Sequence, residues 1–345
     1  MSEVRKRGAP LDYFQLLRLP NLFTAMADVA MGFLFVQVAP FGLSSWHMTA
    51  ADGLTLALLM AASCLLYAAG VVLNDVFDVE LDRRERPERP LPSGRVLLRT
   101  ARILGWLLLA GGVALAWIAP LGSWQTSHWS FVPPNVVSWI APLHDWQFRT
   151  GVVGTLLAAC IVLYDRGLKR TLLGPFGMGA CRGLNVLLGM SVLAGAFRFE
   201  HYLIAGGIGV YVMGVTWLAR NENARSDRRQ IVAATLVMLA GVALLASLPR
   251  WGSEIEFVDI VRVESLRGRW YLLMGFLGAV IGWRCLLAAI EPSPGRVQTA
   301  VANAIMSLVI LDAAVCFSVR GFFWAVAILC LLVPAMILEQ WIRST

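Results

Sequence analysis

"VVLNDVFDVELDRRERPERPLPSGR", Val71 to Arg95, decides how the chain is read. An apolar run of membrane width stops, and five acids follow between Asp75 and Glu85, interleaved with apolar residues and preceded by Asn74. A burst of arginines and prolines comes next. Asp75, Asp78 and Asp82 stand at i, i+3 and i+7. On a helix they share a sector of roughly 60° and form a stripe about 10 Å long. Such a stripe repels itself unless cations neutralise it. Asn74 lies beside it and adds a neutral amide oxygen. Oxygen donors without His or Cys suit a hard cation, Mg2+ by preference, which shares its shell with water and substrate phosphates. Glu80 faces away and Glu85 lies beyond the stripe. The plainer reading is a solvated helix end whose acids pair with the arginines that follow.

The rest of the chain sets this stripe at a membrane boundary. Of 345 residues, 58% are hydrophobic and 15% charged, more apolar surface than a soluble domain of this length can hide. Several uncharged runs reach about 18–22 residues, enough to cross a hydrocarbon core. Spans are expected near 22–39, 54–73, 101–120, 149–164, 178–197, 202–218, 231–248, 270–290, 299–318 and 321–341. Only Arg320 and Gly321 separate the last two, so a very tight turn is expected there. The basic start has no apolar segment with a cleavage site, so the first span is expected to act as the targeting signal.

The net charge of +7 does not indicate nucleic-acid binding once it is mapped. Lys and Arg cluster at 5–7, 83–102, 166–170, 220–229, 296 and 343, all on one side of the expected topology. The loops at 40–53 and 121–148 hold neither. The positive-inside rule places the N-terminus and the acidic stripe in the cytoplasm, and the expected setting is a bacterial inner (plasma) membrane. The loop at 249–269 departs with four arginines, balanced by Glu254, Glu256, Asp259 and Glu264. The loop with four tryptophans before Arg149 reads as a segment lying in the outer interface. The six cysteines read as small apolar residues without CxxC spacing. The four histidines map to the far side from the acids, which argues against a His-based metal site.

Two further clusters answer the stripe. In "YDRGLKRTLLGPFGMGACRGLN", Tyr164 to Asn185, Asp165 and Lys169 are i, i+4 neighbours, and Arg166 and Arg170 add charge. Gly174, Gly177 and Gly179 with Pro175 read as a flexible connection, and Arg182 and Asn185 as the start of the next span. Cations beside a carboxylate–Mg2+ site are what a diphosphate requires. "TWLARNENARSDRRQ", Thr216 to Gln230, brings Glu222, Asn223 and Asp227 but is richer in arginine than in acid. Asp312 lies deep in the ninth span, and an intramembrane acid is a functional candidate by default. Asn303 in the same span is a weaker one. Arg18 and Asn21 sit at the entry to the first helix, within reach of a head group.

These residues resemble the UbiA superfamily of intramembrane prenyltransferases. "NDVFDVELD" matches the family's N-D-x-x-D-x-x-x-D motif, and "YDRGLKR" and "LRLPNLFT" resemble its later Y-[DP]-x-x-x-K-R element and its first-helix entry. The resemblance covers roughly residues 14–318, a nine-helix body, with a tenth helix as an addition near 321–341, all in one integral membrane domain, 1–345. The second aspartate motif departs: its place reads "RNENARSD", with Asn where one acid is usual or the acid shifted to Glu222. Together with "PSPGRVQTAVANAIMSLVILDA" this looks most like the EboC-like branch. The resemblance implies an all-α polytopic bundle with a cavity open to lipid. It implies Mg2+ on Asp75, Asp78 and Asp82, a polyprenyl diphosphate neutralised by Lys169 and Arg182, and an allylic cation steadied by Asp165. Glu222 and Asp227 would hold a second metal or leave that role to the neighbouring arginines. Arg18, Asn21, Asn74, Asn185 and Asp312 would complete substrate binding. The leading expectation is therefore prenyl transfer to an unidentified acceptor. A carrier that binds an amphiphile without turnover, or an assembly scaffold, are the other readings.

Overall fold

The computed structural model describes residues 10–37, 48–120, 146–193, 196–220, 227–251 and 264–344. Every regular element among them is helical: α1 (Pro10–Leu17), a 3-10 turn (Leu19–Asn21), α2 (Leu22–Val36), α3 (Ala50–Phe77), α4 (Val79–Glu85), α5 (Leu98–Ile118), α6 (Trp146–Arg166), a second 3-10 turn (Leu168–Arg170), α7 (Gly174–Met190), α8 (Phe199–Ala219), α9 (Arg228–Ala246), α10 (Leu248–Trp251), α11 (Glu264–Ile290), α12 (Pro294–Arg320), α13 (Phe322–Leu329) and α14 (Leu332–Ser344). Eight helices among the described residues are long and apolar enough to cross a membrane. Only helices and closed barrels satisfy their backbone in lipid, so this is a polytopic membrane bundle. The tryptophan-rich loop and most of the 249–269 loop lie outside the described residues.

Long-range hydrogen bonds sort the helix ends into two sets. Arg149 at the start of α6 donates to Ser191 O and Leu193 O just past α7. Arg320 at the end of α12 donates to Leu34 O near the end of α2 at 2.7 Å. At the opposite, acidic end, Arg220 after α8 donates to Lys169 O and Thr171 O, and Arg228 at the start of α9 donates to Ile290 O at 2.9 Å. The spans therefore run up and down in order, as the loop lengths imply.

The expected tight turn after the ninth span is present. Gly321 takes φ 78°, a left-handed conformation open to glycine at little cost. The tenth segment is two helices, α13 and α14, interrupted at Cys330–Leu331. It returns along α2 and meets the Leu19–Asn21 turn.

Helix α7 corrects the sequence reading. It starts at Gly174 with Pro175 in its first turn, so Gly174, Gly177 and Gly179 belong to the helix and are no flexible connection. Proline is favoured at this position because its missing N–H has no helical partner there. Arg182 and Asn185 consequently lie in mid-helix. At 1.5 Å per residue, Arg182 is about 12 Å in from Gly174. The glycines do permit close approach. A Cβ on Gly189 would collide with Val29 O, and one on Gly32 with Val186 O, so α2 and α7 meet backbone to backbone. Small residues drive such contacts in lipid, where no hydrophobic effect gathers the helices. The outward faces carry Leu107, Leu163, Leu236, Phe276 and Trp283, all exposed, as a lipid-facing surface requires.

Gly189→Ala is expected to destabilise the bundle by about 1–3 kcal/mol through overpacking. Gly206→Ala, where a Cβ meets nothing within 4 Å, should leave stability unchanged or raised. Thermal unfolding of both variants in one detergent checks the contrast.

Candidate active site

The acidic stripe survives folding although α3 ends at Phe77. Asp78 has φ −97° and ψ 4°, yet Asp78 N–H still bonds Asn74 O at 3.0 Å and Asp82 N–H bonds Asp78 O at 2.8 Å. The helical path therefore continues into α4, and the three carboxylates remain on one side. Asp75 and Asp82 are each 5% exposed. Glu80, as expected from its spacing, faces outward and pairs with Arg83 at 2.8 Å.

Cations meet each carboxylate. Arg18 donates to Asp75 Oδ1 at 3.0 Å. It does so from φ 46°, ψ 51°. Among the described residues it is the one non-glycine residue with positive φ. That sparsely populated conformation is retained only where surroundings over-determine it. One guanidinium nitrogen of Arg89 lies 2.8 Å from Asp82 Oδ2 and 3.6 Å from Asp75 Oδ1, between two carboxylates. Lys169 Nζ donates to Asp78 Oδ2 at 2.6 Å and to Asn74 Oδ1 at 2.7 Å, and Arg170 donates to Asp78 Oδ1 at 2.8 Å.

Asp165 stands behind this array, 3% exposed, with Oδ2 lacking any donor. Its i, i+4 spacing predicts one helical face shared with Lys169. The structure differs: α6 stops at Arg166, Gly167 breaks the helix, and Lys169 sits on the following 3-10 turn and reaches Asp78.

Arg89 belongs to a strap formed by the arginine- and proline-rich stretch after α4. Arg95 fixes it, donating to buried Asp12 Oδ1 at 2.6 Å and to Glu88 O at 2.7 Å. Val96 N–H bonds Pro90 O at 3.0 Å. Leu91 and Val96 are buried with Leu16, Val72 and Val76 in a small second core. Neither Asp12 nor Arg89 was singled out in the sequence. The spacing of Arg89 from the acids carries no helical signature, because the link is a turn.

Other candidates part company with the stripe. Arg182 donates to Asp28 Oδ2 and to Thr24 Oγ1, both at 2.6 Å. Asn185 donates to Asp28 Oδ2 at 3.0 Å and accepts from Ser63 Oγ at 2.7 Å. Asp312 is fully buried beside Asp28. Arg182, Asn185 and Asp312 thus form a separate mid-depth cluster around Asp28. The rule that picked out Asp312, an acid inside an apolar span, would also have found Asp28. Asn21 ends the first 3-10 turn, and its carbonyl accepts from Thr24 Oγ1 at 2.8 Å. Asp227 caps α9, accepting from Arg229 N–H at 3.1 Å. Glu222 lies outside the described residues.

Among the described residues, no three His, Cys, Asp or Glu side chains converge as a ready-made cage. The donors fit Mg2+ all the same. They are hard oxygens, and this ion takes one or two carboxylates and completes its shell with water and phosphate. The Arg89 nitrogen between Asp75 and Asp82 marks a place where the fold already demands positive charge.

Comparison with known proteins bears on the fold and on the stretch that carries the acids. The sequence matches the UbiA prenyltransferase family over residues 29–133, which include the whole stripe. The fold resembles that of a UbiA homolog from Archaeoglobus fulgidus bound to GPP and Mg2+, with TM-score 0.60 and 13% identity over 92% of this chain and 99% of that one. Residues 29–133 are thus similar in sequence to the UbiA prenyltransferase family, and the fold as a whole is UbiA-like. A second UbiA homolog, from Aeropyrum pernix K1, superposes with TM-score 0.52 and 17% identity over 92% and 98% of the two chains. In sequence, the UbiA-type stretch is 35% identical over 104 residues to a digeranylgeranylglyceryl phosphate synthase of Sulfurisphaera tokodaii, 30% of this chain and 34% of that one. The match thus spans about a third of that relative's length.

Arg95→Met is expected to destabilise the protein by about 3 kcal/mol, because Asp12 is left buried without its cation. Arg83→Met, which removes an exposed pair, should cost at most about 1 kcal/mol. Thermal unfolding of the two variants side by side measures the difference.

Proposed function

We propose that this UbiA-type protein is an intramembrane prenyltransferase that uses a polyprenyl diphosphate as donor. The observation that carries the reading is the set of four cations, Arg18, Arg89, Lys169 and Arg170, held on Asp75, Asp78 and Asp82 where α3 ends. Acids and bases in this number at one membrane boundary suit a dianionic head group and a divalent ion together. Asp75, Asp78 and Asp82 would hold Mg2+, with Asn74 beside them. Bound there, Mg2+ would neutralise charge on the departing diphosphate.

The chain's own groups do the rest. Arg18, Arg89, Lys169 and Arg170 turn from carboxylate to phosphate oxygens. Guanidinium forks suit phosphate, and Lys supplies a compact charge. The bond between prenyl C1 and oxygen breaks, pyrophosphate leaves, and the acceptor attacks C1 and releases a proton. Asp165, buried with an oxygen lacking a donor, faces the developing allylic cation and steadies it. Arg182, Asn185 and Asp312, enclosed around Asp28, take no direct part in this reading. We place the acidic end in the cytoplasm, because Lys and Arg concentrate there. We treat residues 1–345 as one unit, with a UbiA-like body at about 14–318 and α13–α14 as an addition.

A second reading, an EboC-like carrier that binds an amphiphile without turnover, gains support from Asp227. Its carboxylate caps α9, which weakens the case for a second metal. Farnesyl or geranylgeranyl diphosphate and the protein in nanodiscs separate the two readings. Pyrophosphate release is followed with and without Mg2+, first with a glyceryl phosphate lipid as acceptor, then with a crude lipid extract. Transfer predicts Mg2+-dependent release that falls on the order of 100-fold or more in Asp75→Ala. Tight Mg2+-dependent binding without release favours the carrier. Lys169→Met should weaken diphosphate binding about tenfold, near 1.4 kcal/mol, measured as Kd.

A further inference from the structure

The cluster around Asp28 contains an arrangement the acidic stripe does not explain. Asp28 on α2 and Asp312 on α12 are both fully buried. Arg182 and Asn185 on α7, with Thr24, satisfy one side of the cluster: Arg182 Nη1 and Asn185 Nδ2 both donate to Asp28 Oδ2. Ser63 and Tyr67 reach it from α3: Ser63 bonds Asn185, and the Tyr67 ring lies 5.5 Å from the Arg182 guanidinium carbon. The other side is different. Asp28 Oδ1 and both carboxylate oxygens of Asp312 have no donor, yet the two carboxyl groups contact each other. Acceptors therefore face acceptors in a dry place.

Charge and hydrogen bonding have one common solution. With both acids ionised, two negative charges answer one guanidinium, and the excess is buried without a partner. A single proton on either carboxyl makes the cluster neutral. It also converts the acceptor–acceptor contact into an O–H···O bond. Two carboxyls this close titrate as a pair. Along α3, Tyr67 and Ser63 lie about 12 and 18 Å from Asp75, so this proton sits near mid-membrane, away from the acids at the helix end.

We propose that Asp28 and Asp312 form an intramembrane proton-binding pair that holds one proton at neutral pH, with Arg182 as counter-ion to the shared anion. The proton joins α12 to α2 and α7 at the level where Gly32 and Gly189 bring those two backbones together. The proposal stands apart from prenyl transfer and survives its failure.

Infrared spectroscopy of detergent-solubilised protein carrying carboxyl-13C aspartate tests it without any substrate. The wild type should show an isotope-shifted carboxylic-acid C=O band at neutral pH. That component should disappear in Asp312→Asn and equally in Asp28→Asn, because in each the remaining acid ionises against Arg182. It should roughly double in Arg182→Gln, where neither acid keeps its cation. A band unchanged in Asp312→Asn overturns the proposal, since the protonated acid then lies elsewhere. Loss in only one of the two Asn variants overturns the sharing. Absence of the band from wild type overturns it outright and leaves a cation other than a proton to be found between the two acids. Should either Asn variant fail to fold, the Arg182→Gln spectrum still decides, because an unchanged band there contradicts the charge balance.

Discussion

A charge placed in or against hydrocarbon must meet its opposite, and most of what is unusual in this chain follows from that requirement. The bundle itself is ordinary: apolar helices run up and down and pack through small residues. The deviations are local and each answers a buried charge. Arg18 takes a left-handed backbone and reaches Asp75. The segment after α4 folds back so that Arg89 and Arg95 meet Asp82 and Asp12. Helix α6 breaks at Gly167, and Lys169 is placed against Asp78. Each distortion is stabilised because the alternative leaves a carboxylate unpaired in a poorly solvated place.

The same requirement gives two layers with different character. At the helix end the cations are partly exposed, Arg18 by 40% and Arg170 by 59% of their side chains, so water and solutes reach them and their partners are exchangeable. At mid-depth Asp28 and Asp312 are sealed, and Arg182 retains only 11%. The first layer can trade one anion for another; the second is confined to what the fold encloses. The division follows helix geometry, since Asp75 ends α3 while Ser63 and Tyr67 lie two to three turns inside it.

The helical class, most of the spans and the acidic stripe were legible because they rest on period and composition, which are local. Asp75, Asp78 and Asp82 sit together because 3.6-residue geometry holds across the small irregularity at Asp78. Where the reading failed, the cause was a local choice that pattern does not encode. Pro175 starts α7 earlier than the hydropathy suggested, which moved Arg182 and Asn185 from the boundary to mid-depth. Gly167 ended α6 before Lys169. The pairings of Arg89 and Arg95 depend on a turned strap, and sequence spacing says nothing about its direction. Asp28 was available to the rule applied to Asp312 and was hidden by the apolar run around it.

Arg89 gives the acidic site one more property. Its guanidinium already spans Asp75 and Asp82, so the resting protein is internally neutralised, and any cation entering there competes with a tethered one. Occupancy is then an exchange reaction whose free energy is a difference between two similar attractions. Such a site discriminates by valence more than by strength: a monovalent ion gains nothing over the arginine it displaces, whereas a divalent ion that brings its own anion leaves that arginine a new partner. Under the proposed prenyl-transfer function, the strap would work as a built-in competitor, and metal and phosphate would arrive as one ligand.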